Sequence, residues 1–176
     1  MSSSVKWLLS VVVVAAAGMA IYFFCFKPLM CDIAEKRLER STLRLAERPD
    51  SYAVRRQAAA NLDSAVACIR VQPDNVNLYM IAAANCRLLA QPRRAIDFYE
   101  QALHYDRRRE LFANLGNVQS EIGMKNEAIE NLTRANIFWN DSIVQIEDPF
   151  VHDEVLRRYN EYEARMKRAV AASTDR

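Results

Sequence analysis

Residues 76–108, VNLYMIAAANCRLLAQPRRAIDFYEQALHYDRR, and residues 109–141, RELFANLGNVQSEIGMKNEAIENLTRANIFWND, carry one pattern twice, 33 positions apart. Ala95, Ile96 and Ala102 recur as Ala128, Ile129 and Ala135, while Tyr79 recurs as Phe112, Ala83 as Gly116 and Tyr99 as Leu132. A period in the thirties, with small residues at fixed places and aromatics between them, predicts stacked helix pairs. The first pair is expected over 76–90 and from Pro92 to about Tyr105, with Pro92 suited to a first helical position. Its inward set is Leu78, Tyr79, Ala82, Ala83 and Cys86, then Ala95, Ile96, Tyr99, Ala102 and Leu103. The second pair is expected over 109–122 and 125–138, with Gly123 supplying a left-handed turn. Antiparallel helices approach closely only where small residues face each other, which assigns Ala95, Ala102, Ala128 and Ala135 to the seams.

Working outward, Met30 to Arg48 reads as a helix with Ile33, Leu38, Leu43 and Leu45 as its apolar positions. Glu35, Glu39 and Arg40 lie among them at spacings that permit i,i+4 pairs. Pro49-Asp50-Ser51 breaks the pattern. A helix over 51–71 follows, with Val54, Ala58, Leu62, Ala65 and Ile69 along one face, until Pro73 stops it. Beyond the repeat, Asn140-Asp141-Ser142 is a break and residues 143–147 give no clear pattern. Asp148 can cap a last helix that has Pro149 at its first position and runs to about Ala171. Val151, Val155, Leu156, Tyr159, Tyr162, Met166 and Val170 form its apolar stripe. Such a helix can cover the last open groove of a stack; Ser173 to Arg176 should fray.

Trp7 to Phe26 is a run of 20 residues without a charge. A helix of about 20 residues crosses a hydrocarbon core of ~30 Å. Lys6 precedes the run, Lys27 and Pro28 close it, and Trp7, Tyr22, Phe23, Phe24 and Phe26 sit at its ends, where aromatic belts form. The rival reading is a cleaved signal peptide, with Gly18-Met19-Ala20 as a small-x-small site. Cleavage there would leave a mature chain starting on Ile-Tyr-Phe-Phe-Cys-Phe, so an uncleaved anchor is favoured. A lipoprotein is disfavoured by Pro28-Leu29-Met30 before Cys31.

The net charge of +2 gives no field suited to nucleic acid. Only 3 glycines argue against glycine-rich phosphate loops and a turn-rich β protein. Abundant Ala, Leu, Arg and Glu without strict alternation make the remainder all α. The cysteines Cys25, Cys31, Cys68 and Cys86 form no C-x-x-C pair and have no histidine at ligand spacing, so no metal site is expected. A Cys68–Cys86 disulfide stays open.

AIDFYEQALHYD and AIENLTRANIFW resemble the second helix of the tetratricopeptide repeat, and LYMIAAANCRLLAQPRRA and LFANLGNVQSEIGMKNEA resemble its first helix and turn. Leu115-Gly116 matches the family's Leu-Gly pair, and Ala82-Ala83 departs from it. Pro73 matches the family's proline after the second helix; Arg107 and Asn140 do not. The resemblance implies a degenerate first repeat (29–74) and repeats over 75–108 and 109–142, which the apolar run precedes as an N-terminal transmembrane helix (1–28) and a linker with capping helix follows (143–176). It implies a right-handed α-solenoid of stacked helical hairpins whose concave groove holds a protein partner. The implied groove set is Asn77, Met80, Ala84, Arg87 and Leu88, then Ala113, Asn117, Ser120 and Glu121. Asn117 matches one asparagine of the family's carboxylate clamp, but Ala113 stands where its lysine would be. Binding of a chain-terminal carboxylate is therefore not expected.

No catalytic residue and no cofactor is expected. His104 fits a helix C-terminus, and His152 with Asp153 forms a neighbour pair expected to point apart, with no nucleophile assigned. Arg93-Arg94 and Arg107-Arg108-Arg109 read as solvated turns. Asn131 and Asn140 begin glycosylation sequons, the first inside a helix. The function expected is that of a membrane-anchored, non-enzymatic adaptor or assembly factor whose partners are protein subunits of a membrane complex. The alternatives are a permanent structural subunit, packed through Ala15, Ala16, Ala17 and Gly18, and a secreted repeat protein after cleavage. Lys27, Lys36, Arg37 and Arg40 lean towards a cytoplasmic domain, but the side of the membrane stays open.

Overall fold

The computed structural model describes residues 3–47, 51–138, 146 and 148–174. The expected breaks at Pro49-Asp50 and Asn140-Asp141-Ser142, the sequon at Asn140 and the last two residues lie outside them. The described residues hold helices and no strand: α1 (Ser3–Ile21), a π-helical turn (Tyr22–Phe26), α2 (Lys27–Ala46), α3 (Tyr52–Ile69), α4 (Val76–Leu88), α5 (Pro92–Leu103), α6 (Arg109–Glu121), α7 (Lys125–Phe138) and α8 (Pro149–Thr174).

Pro28 does not end the first helix, contrary to the boundary expected there. Proline lacks an N–H, and its ring collides with the carbonyl four residues back. The wider π turn just before it accommodates this, with the Lys27 N–H bonded to the Tyr22 carbonyl. The apolar run therefore continues directly into α2. Upstream of α2, Trp7 and residues 11–26 of the run are exposed, Trp7 to 68% and Phe24 to 82%.

From α2 onward, each helix packs on the next across a short connection, and α2 also packs on α4. The main core joins Leu38, Leu62, Ala65, the α4 and α5 inward set apart from Leu78, and Leu111, Leu115 and Val118 of α6, while Leu78 joins Cys31 and Cys68 in a separate cluster. All four seam alanines are fully buried. At the α6–α7 crossing, a Cβ on Gly116 would lie 2.6 Å from Leu132 Cγ and 3.1 Å from the Ala128 carbonyl oxygen. Val151 and Val155 of α8 close a smaller cluster over Ala128, Ile129 and Leu132. Asp148 caps α8 by accepting from Phe150 N (2.9 Å) and Val151 N (3.2 Å).

The 33-residue offset extends to the backbone. Gln91 N donates to Cys86 O and Met124 N donates to Gln119 O, both at 2.9 Å. Each closes a helix end through a left-handed residue, Ala90 (φ 55°) and Gly123 (φ 83°). Ala90 carries no signal of this turn in sequence, where only a glycine marks one. A Cβ in this conformation costs roughly 1 kcal/mol or more. Ala90→Gly is expected to stabilise the fold by about 0.5–1 kcal/mol and Gly123→Ala to destabilise it, read as opposite shifts of the melting temperature.

Two apolar expectations need correction. On α2 the buried residues are Cys31, Leu38 and Thr42, while Ile33 is 51% and Leu43 63% exposed. On α8 the stripe is buried at Val151 and Val155 only, and Tyr162, Met166 and Val170 are exposed. The helix outruns α7, the partner that covers its first half.

Candidate functional site

The seam that holds α2 against α3 and α4 is largely polar. Gln72 Nε2 donates to Asp32 Oδ1 (2.6 Å), and Asn75 Nδ2 and Asn77 Nδ2 donate to the two oxygens of Glu35 (2.7 and 2.9 Å). Asn61 Nδ2 donates to Ser41 Oγ (3.0 Å), and the buried Asn85 Nδ2 to Thr42 Oγ1 (2.8 Å). Glu35 thus serves amides some 40 positions away rather than the i,i+4 partner expected. These bonds fix the register of α2, because a shift would leave buried amides without partners.

Beside that seam, α2, α4 and α6 frame a cavity of about 260 Å³. Asn77, Met80, Ala84 and Arg87 of the groove set line it together. Arg87 reaches Glu121 of α6 in a salt bridge, so that residue meets the groove at its rim. Leu88, Ala113, Asn117 and Ser120 are half-buried and are not part of this lining. On α6 the cavity takes Asn114 instead of Ala113, a phase shift of one residue. Sequence reading also missed Glu39, Thr42 and Leu43, which α2 contributes; the exposed Leu43 was the available signal. Tyr99 forms part of the wall, and burial pushes its phenol up to about 12, so it stays a neutral hydroxyl.

The pocket therefore offers a thioether, two leucine-sized apolar contacts and amide groups, with a carboxylate on one flank and a paired guanidinium on the other. Such a lining can hold a peptide by amide hydrogen bonds and apolar contact. Among the described residues, no group of three or more His, Cys, Asp or Glu is placed to hold a metal ion.

The remaining expected features fall elsewhere. His104 follows α5 as its C-cap. His152 Nδ1 and Asp153 Oδ1 lie 3.4 Å apart, so this pair does meet, contrary to the divergence expected of helical neighbours. Asn131 Nδ2 donates to Gln119 Oε1 (2.8 Å), which engages the sequon's amide inside the α6–α7 interface. Cys68 shares a cluster with Cys31 and Leu78, whereas Cys86 lies in the main core; all the cysteines are free thiols.

On α8, hydrogen bonds from Arg157 and Arg158 hold the Glu154 carboxyl down to about 2 from 4.5. Lys125 and the helix-end N–H groups also lower Asp148. A carboxyl depressed by folding stabilises above its unfolded pKa and loses that contribution as pH falls through the folded one. The melting temperature of Glu154→Gln should lie below that of the parent chain above pH 4.5. The gap should close as the pH falls towards about 2.

No protein-family model matches the chain, and no curated protein matches it. One N-terminal helix is long and apolar enough to cross a membrane.

Proposed function

We propose that the chain is a membrane-anchored protein of the tetratricopeptide repeat type that binds a protein partner in the concavity between α2, α4 and α6. The observation that carries this reading is that concavity itself, which takes side chains from three alternate helices, one from each hairpin, with Tyr99 of α5 in its wall. Helices in alternate positions line the inner face when hairpins stack as a right-handed solenoid. The duplicated turn hydrogen bonds, 33 residues apart, support that stacking. The exposed apolar helix supports anchoring, since contiguous apolar surface of this size is otherwise a liability in water. The partner is a polypeptide segment of a membrane complex, for which the chain acts as adaptor or assembly factor.

Purification in mild detergent tests this reading, comparing the full chain with a chain that begins at Cys31. Adaptor function predicts a discrete co-purifying protein with the full chain, weakened when Ala84→Trp fills the groove. A permanent structural subunit would instead depend on the transmembrane helix, whose Gly18 has open space around it. Leucine at both Ala15 and Gly18 should then release it while Ala84→Trp does not.

A further inference from the structure

The charges of α2 are sorted by edge. Asp32 and Glu35 face the α3–α4 connection and are engaged by Gln72, Asn75 and Asn77. Lys36, Arg37, Arg40 and Arg44 fall on the other edge, and none of the four makes an ion pair among the described residues. They line a second groove, about 760 Å³, whose apolar contacts are Ile33 and Leu45. This groove runs along the free edge of the helical body. α2 packs on α3 and α4 along its other side. Gln57 and Ser41 at its wall are already tied to Asn61.

We propose that this basic groove binds an acidic amphipathic helix of a partner protein, laid against α2 and α3 as one more helix at the open end of the stack. The spacing suits such an occupant. Arg37, Arg40 and Arg44 recur at three and four residues, the interval at which carboxylates recur along a facing helix. Ile33, 51% exposed, and the half-buried Leu45 would meet its apolar stripe. Uncompensated cations at this density repel one another, and an acidic partner relieves that repulsion while steering its own approach.

Anionic lipid is the competing occupant, and distance disfavours it. This step rests on residues 7–26 lying in the bilayer. At 1.5 Å per residue, Lys36 stands roughly 15 Å beyond Phe26 along the continuous helix, at the edge of a headgroup's reach, whereas Arg40 stands roughly 21 Å and Arg44 roughly 27 Å beyond it. The headgroup layer adds only about 5–8 Å per side, and screening at physiological salt acts within about 8 Å.

The test uses the full chain in phosphatidylcholine nanodiscs. The probe is a fluorescent synthetic peptide of about five helical turns, with a leucine stripe flanked by glutamates. A second peptide carries lysine in place of every glutamate. The acidic peptide is expected to bind and the basic one not. Arg37→Glu/Arg40→Glu/Arg44→Glu should weaken binding at least about tenfold, and Ile33→Ser should weaken it too. The control Arg93→Glu/Arg94→Glu, at a distant basic turn, should leave it unchanged. These side chains are exposed, so circular dichroism should show each variant folded. Equal loss with the control, or no preference for the acidic peptide, would overturn the proposal. So would phosphatidylserine in the nanodisc displacing the peptide, which would assign the groove to lipid. Self-association lost in the triple variant would assign it to a second copy and overturn it as well.

Discussion

Replacing Gly116 by leucine is expected to destabilise the fold by about 3 kcal/mol or more, the upper end of overpacking effects. The first added carbon alone would stand 2.6 Å from Leu132 Cγ. Leu132 is fully buried and cannot swing aside, because Val151 and Val155 of α8 close over it. The Ala128 carbonyl, 3.1 Å away, is backbone and cannot yield without opening the α6–α7 crossing. Gly116→Ala should be milder. Its clash is offset by the ~1 kcal/mol that alanine gains over glycine within a helix. Leu132→Ala placed in the Gly116→Leu background should recover part of the loss, since the two sites share one volume. Thermal unfolding of the three variants beside the parent chain checks this. An unchanged melting temperature for Gly116→Leu would mean that α6 and α7 do not cross at this point.

The second large effect is expected at Leu78→Ala, about 2–5 kcal/mol. Leu78 is fully buried on α4, where it joins Cys31 of α2 and Cys68 of α3. Besides Cys31, α2 holds to the body through Leu38 and Ala34 alone among its apolar residues named in the cores, the rest of that seam being carboxylate, amide and hydroxyl. The cavity should therefore loosen α2 before it loosens the α4–α7 core. Thiol chemistry reports this directly. Burial, with Cys31 alongside, pushes the Cys68 thiol up to about 12, so almost no thiolate exists at neutral pH. In the parent chain Cys31 and Cys68 should resist a maleimide until unfolding. In Leu78→Ala both should react while Cys86 stays protected. Simultaneous labelling of Cys86 would show that the core opens as one unit.

The helices of the repeat were legible because their burial follows apolar periodicity. Leu78, Tyr79, Ala82, Ala83 and Cys86 of α4 are buried as the spacing predicts. α2 was legible as a helix but not in its orientation. It docks through Asp32, Glu35, Ser41 and Thr42, and an apolar-periodicity argument cannot see amides recruited from 20 or more residues away. Ile33 and Leu43 are apolar and so fit a core-facing pattern, yet each lies exposed and lines a groove. Pro28 read as a terminus because the π turn that absorbs it has no sequence signature. The groove was half legible. Asn77, Met80, Ala84 and Arg87 share the cavity, but the contribution of α2 depends on its rotation, and Asn114 on a one-residue phase of α6.

The most direct measurement of the central claim is the protein complement that purifies with the full chain from membranes, with Ala84 native or replaced by tryptophan. The account predicts a discrete partner that is depleted when the tryptophan fills the cavity, while the chain itself still fractionates with the membrane. A chain that purifies alone, or the same partner at the same yield from both forms, would contradict it.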